Sequence, residues 1–213
     1  MGTFTIESEG NASLYLDDLV SAETGNLNVT VAPDQLAQVH LNGTTGQTLP
    51  VGLFVNNTVP ALTVNNDMGI TIQGPLTVTK DLTFAKGKLK LSSDNLVVGG
   101  TVIGADASKY VVTDGSGGLT INNVGNTNIV FPVGSSSSSY TPLTLSNSGD
   151  VDHFTVKTQS SLDGITIADP SRVVPVFWEV SEAVPGGSKV LLTLQWNAVD
   201  AAKFRWPICH GIE

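Results

Sequence analysis

Leu62-Thr63-Val64, Ile70-Thr71-Ile72, Leu76-Thr77-Val78, Leu82-Thr83-Phe84, Leu89-Lys90-Leu91, Leu96-Val97-Val98 and Thr101-Val102-Ile103 follow one another with only short breaks between them. The breaks are turn residues: Asn65-Asn66-Asp67, Gln73-Gly74-Pro75, Lys86-Gly87, Ser92-Ser93-Asp94-Asn95 and Gly99-Gly100. Alternation within a triplet is the period-two signal of a strand with one buried face. Leu62 to Leu82 is 20 residues, Ile70 to Leu89 is 19 and Leu76 to Leu96 is 20. Three short strands per coil of about twenty residues is the rhythm of a β-solenoid, in which no coil buries its apolar face without a neighbour. The reading places Leu62, Val64, Ile70, Ile72, Leu76, Val78, Leu82, Phe84, Leu89 and Leu91 inside.

Outward from this stretch the pattern loosens on both sides. Residues 1–61 carry irregular strand candidates at Thr3–Ile6, Ala12–Leu16, Leu27–Val31, Gln38–Leu41 and Gly52–Val55. Together with the regular part, 62–123, they make a solenoid-like region, 1–123. It closes with Tyr110–Thr113, then Asp114-Gly115-Ser116-Gly117-Gly118, then Leu119–Ile121; Asp-Gly and Gly-Gly there predict a hairpin. From 124 to 213 the strand candidates lengthen: Asn128–Val133, Thr141–Ser146, His153–Gln159, Arg172–Val180 and Lys189–Asn197. That spacing predicts an antiparallel β-sandwich, with Phe131, Phe154, Trp178, Leu192, Leu194 and Trp196 in one core. Ser135–Ser139 reads as a flexible loop, and residues 198–204 as one short helical turn. The fold class is therefore all-β, a solenoid-like N-terminal part followed by a sandwich.

Composition narrows the function classes. Hydrophobic content of 40% excludes a disordered chain, and 14% charged residues is low against the usual ~25%. The formal charge of −9, with ten scattered Lys and Arg, argues against a nucleic-acid partner, because phosphate binding needs a clustered basic surface. No apolar run reaches the ~18 residues of a membrane-spanning helix. Met1–Glu7 has neither the basic region nor the apolar core of a signal peptide. A single cysteine, Cys209, allows no intrachain disulfide framework.

Gly87-Lys88-Leu89-Lys90-Leu91, Lys109-Tyr110-Val111-Val112-Thr113-Asp114-Gly115-Ser116-Gly117-Gly118-Leu119 and Ile129-Val130-Phe131-Pro132-Val133-Gly134 occur in that order. Tyr140–Asn147, Asp152-His153-Phe154-Thr155-Val156, Trp178 and Leu192-Thr193-Leu194-Gln195-Trp196-Asn197 continue the series. Over about residues 76–200 this resembles a module of large secreted, adhesin-like surface proteins of Bacteroidota exported by the type IX route. The resemblance implies an extracellular or cell-surface location. It departs from the family in lacking a C-terminal sorting domain, and Phe204–His210 does not follow the usual closing strand.

No catalytic constellation is legible. His40, His153 and His210 are far apart and have no metal-ligand partner at i+2 or i+4. Cys209 and His210 are adjacent, so on an extended chain they point to opposite faces. Asp17-Asp18, Asp114 and Asp150-Val151-Asp152 could each offer oxygens to Ca²⁺, which takes about six to eight hard ligands, but Asp114 and Asp150 read as turn formers in preference to ligands. The sequons at Asn11, Asn28, Asn42 and Asn56 fit chance in an Asn- and Thr-rich chain. Thr63 and Thr83 fall on one outer face, Thr71 and Thr77 on others, so a flat Thr ladder is not expected. Catalytic, cofactor and metal sites are therefore read as none. The expected function is an extracellular structural or adhesive surface protein that associates with itself or other surface proteins, forming filaments. Thr3, Phe4, Thr5 and Ile6 are its candidate intersubunit strand. The alternative is a carbohydrate-binding module of a secreted polysaccharide-active protein.

Overall fold

The computed structural model describes residues 2–8, 13–17, 25–31, 37–160, 169 and 173–198. The chain begins with β1 (Gly2–Ser8), β2 (Ser13–Asp17) and β3 (Gly25–Val31). One coil follows as β4 (Gln38–Asn42), β5 (Gln47–Pro50) and, after a 3-10 turn at Val55–Asn57, β6 (Thr58–Val59). The next holds β7 (Ala61–Asn65), β8 (Ile70–Gln73) and β9 (Leu76–Val78). Another holds β10 (Leu82–Lys86), β11 (Leu89–Leu91) and β12 (Leu96–Val98). The last holds β13 (Val102–Ile103), β14 (Val111–Val112) and β15 (Leu119–Val124).

Equivalent strands of successive coils pair in parallel, so the coils stack into three sheets. Sheet 1 runs β2, β4, β7, β10, β13; sheet 2 starts β5, β8, β11, β14; sheet 3 starts β6, β9, β12, β15. The register explains the sequence period. Leu62 pairs with Leu82 and Leu82 with Val102, Ile70 with Leu89, and Leu76 with Leu96, so a step of 19 or 20 residues is one coil. The chain is an all-β protein built on a β-solenoid of about 5 turns. All ten residues assigned to the interior are buried. Each such side chain contributes roughly 1.5–3 kcal/mol by leaving water.

The corners of the coil carry the polar part of the interior. Asn66 is fully buried; its amide donates to the Thr45 carbonyl at 2.7 Å and to Gln47 Oε1 at 2.9 Å, and its oxygen accepts the Met68 amide at 3.0 Å. These bonds meet the requirement that a buried amide be satisfied. At another corner a Cβ on Gly115 would strike the Ser92 carbonyl, and one on Gly117 that of Asp94. Glycine lets one turn lie directly on the turn beneath it. The expected hairpin at 114–118 is thus a corner instead: β14 lies in sheet 2 and β15 in sheet 3.

Beyond β15 come β16 (Ile129–Phe131), β17 (Val133–Ser136), β18 (Ser139–Tyr140), β19 (Leu143–Asn147), β20 (Asp152–Gln159), β21 (Phe177–Glu182) and β22 (Val190–Leu194). Here pairing turns antiparallel. β17 adds to β14 in parallel, but β18 folds back on it; β20 adds antiparallel to β15, and β21 to β20. β16, β19 and β22 form a separate antiparallel sheet. One continuous apolar cluster runs from Ala37 to Val156 and includes Phe131, Leu143, Leu145 and Phe154.

Four local expectations are corrected. Gly52–Val55 is no strand: Gly52 has φ +75° and Asn56 and Asn57 also take positive φ, while Leu53 and Phe54 still plug the core. The segment joins β5 before it to β6 after it. Ser135–Ser139 is an ordered hairpin, pinned where the Tyr110 hydroxyl donates to the Ser136 carbonyl at 2.7 Å. Thr63, expected on the outer surface, is covered by the Gln38 side chain, whose amide reaches its hydroxyl at 2.8 Å. Finally, Phe131 and Phe154 are buried and Trp178 packs on the core, but Leu192, Leu194 and Trp196 are 40%, 39% and 41% exposed. β22 is an edge strand, and no described strand lies beyond it. The helical turn expected at 198–204 lies outside the described residues except for Ala198.

Candidate functional site: a cleft on sheet 2 and a free edge at β22

The outer face of sheet 2 carries a cleft with a largely polar lining. Thr48 pairs with Thr71, Thr71 with Lys90 and Lys90 with Val112; Thr48, Thr71 and Lys90 form an open outward column, one rung per coil, and Val112 at its end is buried. At a rung spacing of 4.7–4.9 Å the open column extends roughly 9–10 Å. Asp67, Met68 and Gly69 border it, and Ser136 and Ser137 of the β17–β18 hairpin rise at its far end. The cleft so formed has a volume of about 490 Å³.

Its charges are mostly paired. Lys90 Nζ lies 2.8 Å from Asp114 Oδ2, and Lys86 Nζ lies 3.5 Å from Asp67 Oδ2. Lys88 has no carboxylate partner among the described residues; its ammonium sits 5.3 Å from the centre of the Tyr110 ring. Burial pushes the Tyr110 hydroxyl up to about 12, so it stays protonated and continues to hold the hairpin through Ser136.

β22 is the second notable feature. Its residues Val190, Leu192 and Leu194 stand opposite Asn147, Leu145 and Leu143 of β19, which are buried. Val190 is 45% exposed and Leu191 69%. The Ser148 amide bonds the Lys189 carbonyl at 3.0 Å and the Gln195 amide bonds the Pro142 carbonyl at 3.1 Å. Odd-numbered residues of this strand therefore bond β19, and the backbone groups of Val190, Leu192 and Leu194 face away from it.

The other residues singled out in the sequence take these places. Thr3, Phe4, Thr5 and Ile6 lie in β1, paired in parallel with Asn26, Leu27, Asn28 and Val29 of β3 in the same chain. His40 stacks on Tyr15, ring centres 4.5 Å apart, and burial lowers its pKa. His153 Nδ1 accepts the Asn123 amide at 3.0 Å, fixing a residue with φ 56° at the β15 bulge. Asp114 bonds Lys90, while the 147–150 turn is organised by Asn147, whose oxygen accepts the amides of Gly149 at 3.0 Å and Lys189 at 2.8 Å. Thr63 and Thr83 share sheet 1, Thr71 lies in sheet 2 and Thr77 in sheet 3. Asp18, Cys209 and His210 lie outside the described residues. Among the described residues no group of three or more His, Cys, Asp or Glu could hold a metal ion, and no helix is long and apolar enough to cross a membrane.

Two carboxylates outside both sites set an acid limit. Asp106 is held down to about 2 by the Ser108 hydroxyl at 2.6 Å, the Ser108 amide at 2.8 Å and the Lys109 ammonium at 3.1 Å. Asp152 is lowered by the Val184 amide at 2.9 Å, then by that of His153 at 2.7 Å. Both bind protons less readily when folded than at their ordinary 3.8, so their stabilisation is complete above that pH and is lost as pH falls through the folded values. The melting temperature should drop between pH 3.8 and about 2, and less steeply in an Asp106→Asn, Asp152→Asn double variant. Parallel calorimetric pH profiles for both proteins would refute this assignment.

No protein-family model matches the chain, and neither a curated protein nor a solved structure is significantly similar to it.

Proposed function

We propose that this protein is an extracellular structural or adhesive module of a cell-surface protein, of the kind its motifs resemble in Bacteroidota, and that it associates with itself through β22. In this reading the C-terminal strands complete an antiparallel sandwich, with β16 and β19 facing β20 across Phe131, Leu143, Leu145 and Phe154. The sandwich caps one end of the solenoid. A rod of stacked coils with one unbroken apolar interior suits load-bearing and display, because each coil is held by its neighbours along the whole length.

The observation that carries the reading is the uncovered side of β22. Proteins guard edge strands with charges, proline, bulges or a covering segment. Val190–Leu194 contains no charge and no proline, and its pairing with β19 has no bulge. Val190, Leu192 and Leu194 carry both exposed apolar side chains and backbone groups turned away from β19, so an added strand would pair those groups and flank those side chains. Two copies meeting at β22 in antiparallel fashion would place Leu192 opposite Leu192, with no like charges opposed.

Light scattering of the intact protein at high concentration should report a mass above that of the monomer. Leu192→Lys, which sets a charge on each side of that contact, should return it to the monomer without lowering the melting temperature. If deletion of residues 1–10 abolishes association and Leu192→Lys does not, the contact runs through Thr3–Ile6 and not through β22. A monomer in every sample rejects self-association.

A further inference from the structure

We propose that the cleft on the outer face of sheet 2 binds an extended, carboxylate-bearing polysaccharide, with Lys88 supplying the charge that recognises the carboxylate. The site is separate from β22, and the proposal stands whether or not the protein self-associates.

The shape of the cleft selects a polymer. The open column Thr48, Thr71 and Lys90 runs along the solenoid axis, since each residue pairs in register with the next. Its extent of roughly 9–10 Å matches about two sugar residues laid along the solenoid axis. Small-molecule sites are usually apolar with a few polar groups. Here most of the lining is polar, with Thr48, Thr71, Ser136 and Ser137 offering hydroxyls and no aromatic ring on which a sugar could stack. Such a lining suits a hydrophilic ligand held by hydrogen bonds.

The charge balance selects an anion. Asp114 is paired with Lys90 inside the lining, and Asp67 with Lys86 from just beyond it, so the two carboxylates and their lysines balance. Lys88 is left as the unneutralised charge of the cleft. Lysine is a compact point charge on a long stem, able to follow a carboxylate carried on a sugar ring. The chain as a whole carries −9 and repels polyanions, but at physiological salt that field decays within about 8 Å. A polyanion that binds must therefore find a local positive site, and Lys88 is one.

Affinity electrophoresis and calorimetry with sodium polygalacturonate, and with neutral dextran of similar length, test the proposal. The intact protein should bind polygalacturonate and not dextran. Lys88→Gln should weaken binding about tenfold, Lys88→Arg should restore most of it, and Lys189→Gln, beside β22 and outside the lining, should change nothing. Thr71→Tyr should block the cleft by bulk with the charge untouched, and circular dichroism verifies that each variant is folded. Absence of binding by the intact protein, equal binding of dextran, or equal losses in the Lys88→Gln and Lys189→Gln variants would each overturn the assignment.

Discussion

Leu82→Asp should unfold the protein at room temperature, while Thr83→Asp, one residue further on, should leave it folded. Leu82 lies in an inward column between Leu62 and Val102 and is fully buried. An aspartate there loses the roughly 1.5–3 kcal/mol of leucine burial. It also sets a carboxylate among aliphatic side chains, at a cost of several kcal/mol more even after it takes up a proton. Total stabilities of native domains are about 5–15 kcal/mol, and the coils above and below share the damage because each is completed by its neighbours. Thr83 points to the opposite side of sheet 1, between Thr63 and Ile103. With no carboxylate directly opposite, a charge there should shift stability by only about 0.5 kcal/mol. Urea denaturation followed by circular dichroism separates the two outcomes, and a native midpoint in Leu82→Asp would mean that the strand register is wrong by one residue.

What the sequence made legible is whatever repeats. A triplet such as Leu76-Thr77-Val78 declares its strand and its inward face by itself, and the step to Leu96 declares the coil. Where chain geometry depends on a partner distant in sequence, the signal fades. Gly52–Val55 looked like a strand because Leu53 and Phe54 are apolar, yet they fill the core from a turn whose backbone has positive φ. Ser135–Ser139 looked unstructured because serine has weak preferences, and its order comes from Tyr110, a coil earlier. The glycines at 114–118 announced a turn but not its kind, since a corner between sheets and a hairpin both need glycine. The cleft was half legible: Thr71 and Lys90 are triplet centres one coil apart, and that spacing could have aligned its floor. Its wall could not be read, because it is made by the serine hairpin. The exposure of β22 was invisible to pattern alone, for Val190–Trp196 alternates like a strand with a buried face, and only the sheet order makes it an edge.

Phe131→Ala should cost about 3–5 kcal/mol, the usual range for removing a buried phenylalanine. It should also separate two transitions that coincide in the native protein. Phe131 is fully buried in β16, opposite Leu143, within the cluster that joins Leu119, Ile121 and Val124 of the last coil to Leu145, Phe154 and Val156 beyond it. Its ring is thus part of the apolar contact between the solenoid and the antiparallel strands. The coils below need only one another, since their energetics are those of nearest neighbours. The antiparallel strands have no such repeat and rely on that shared core. The three tryptophans, at 178, 196 and 206, all follow the coils in sequence, so fluorescence reports the chain beyond the coils, where Trp178 is held by its indole N–H, 2.9 Å from the Thr141 carbonyl. Far-UV circular dichroism reports all the strands, most of whose described residues precede β16. In the intact protein the two signals should change together in urea, because one apolar cluster spans both parts. In Phe131→Ala the fluorescence midpoint should fall well below that of the circular dichroism. A loss under about 1 kcal/mol, the scale of an ordinary surface change, would mean that the ring is not in the shared core and that the two parts are joined by backbone pairing alone.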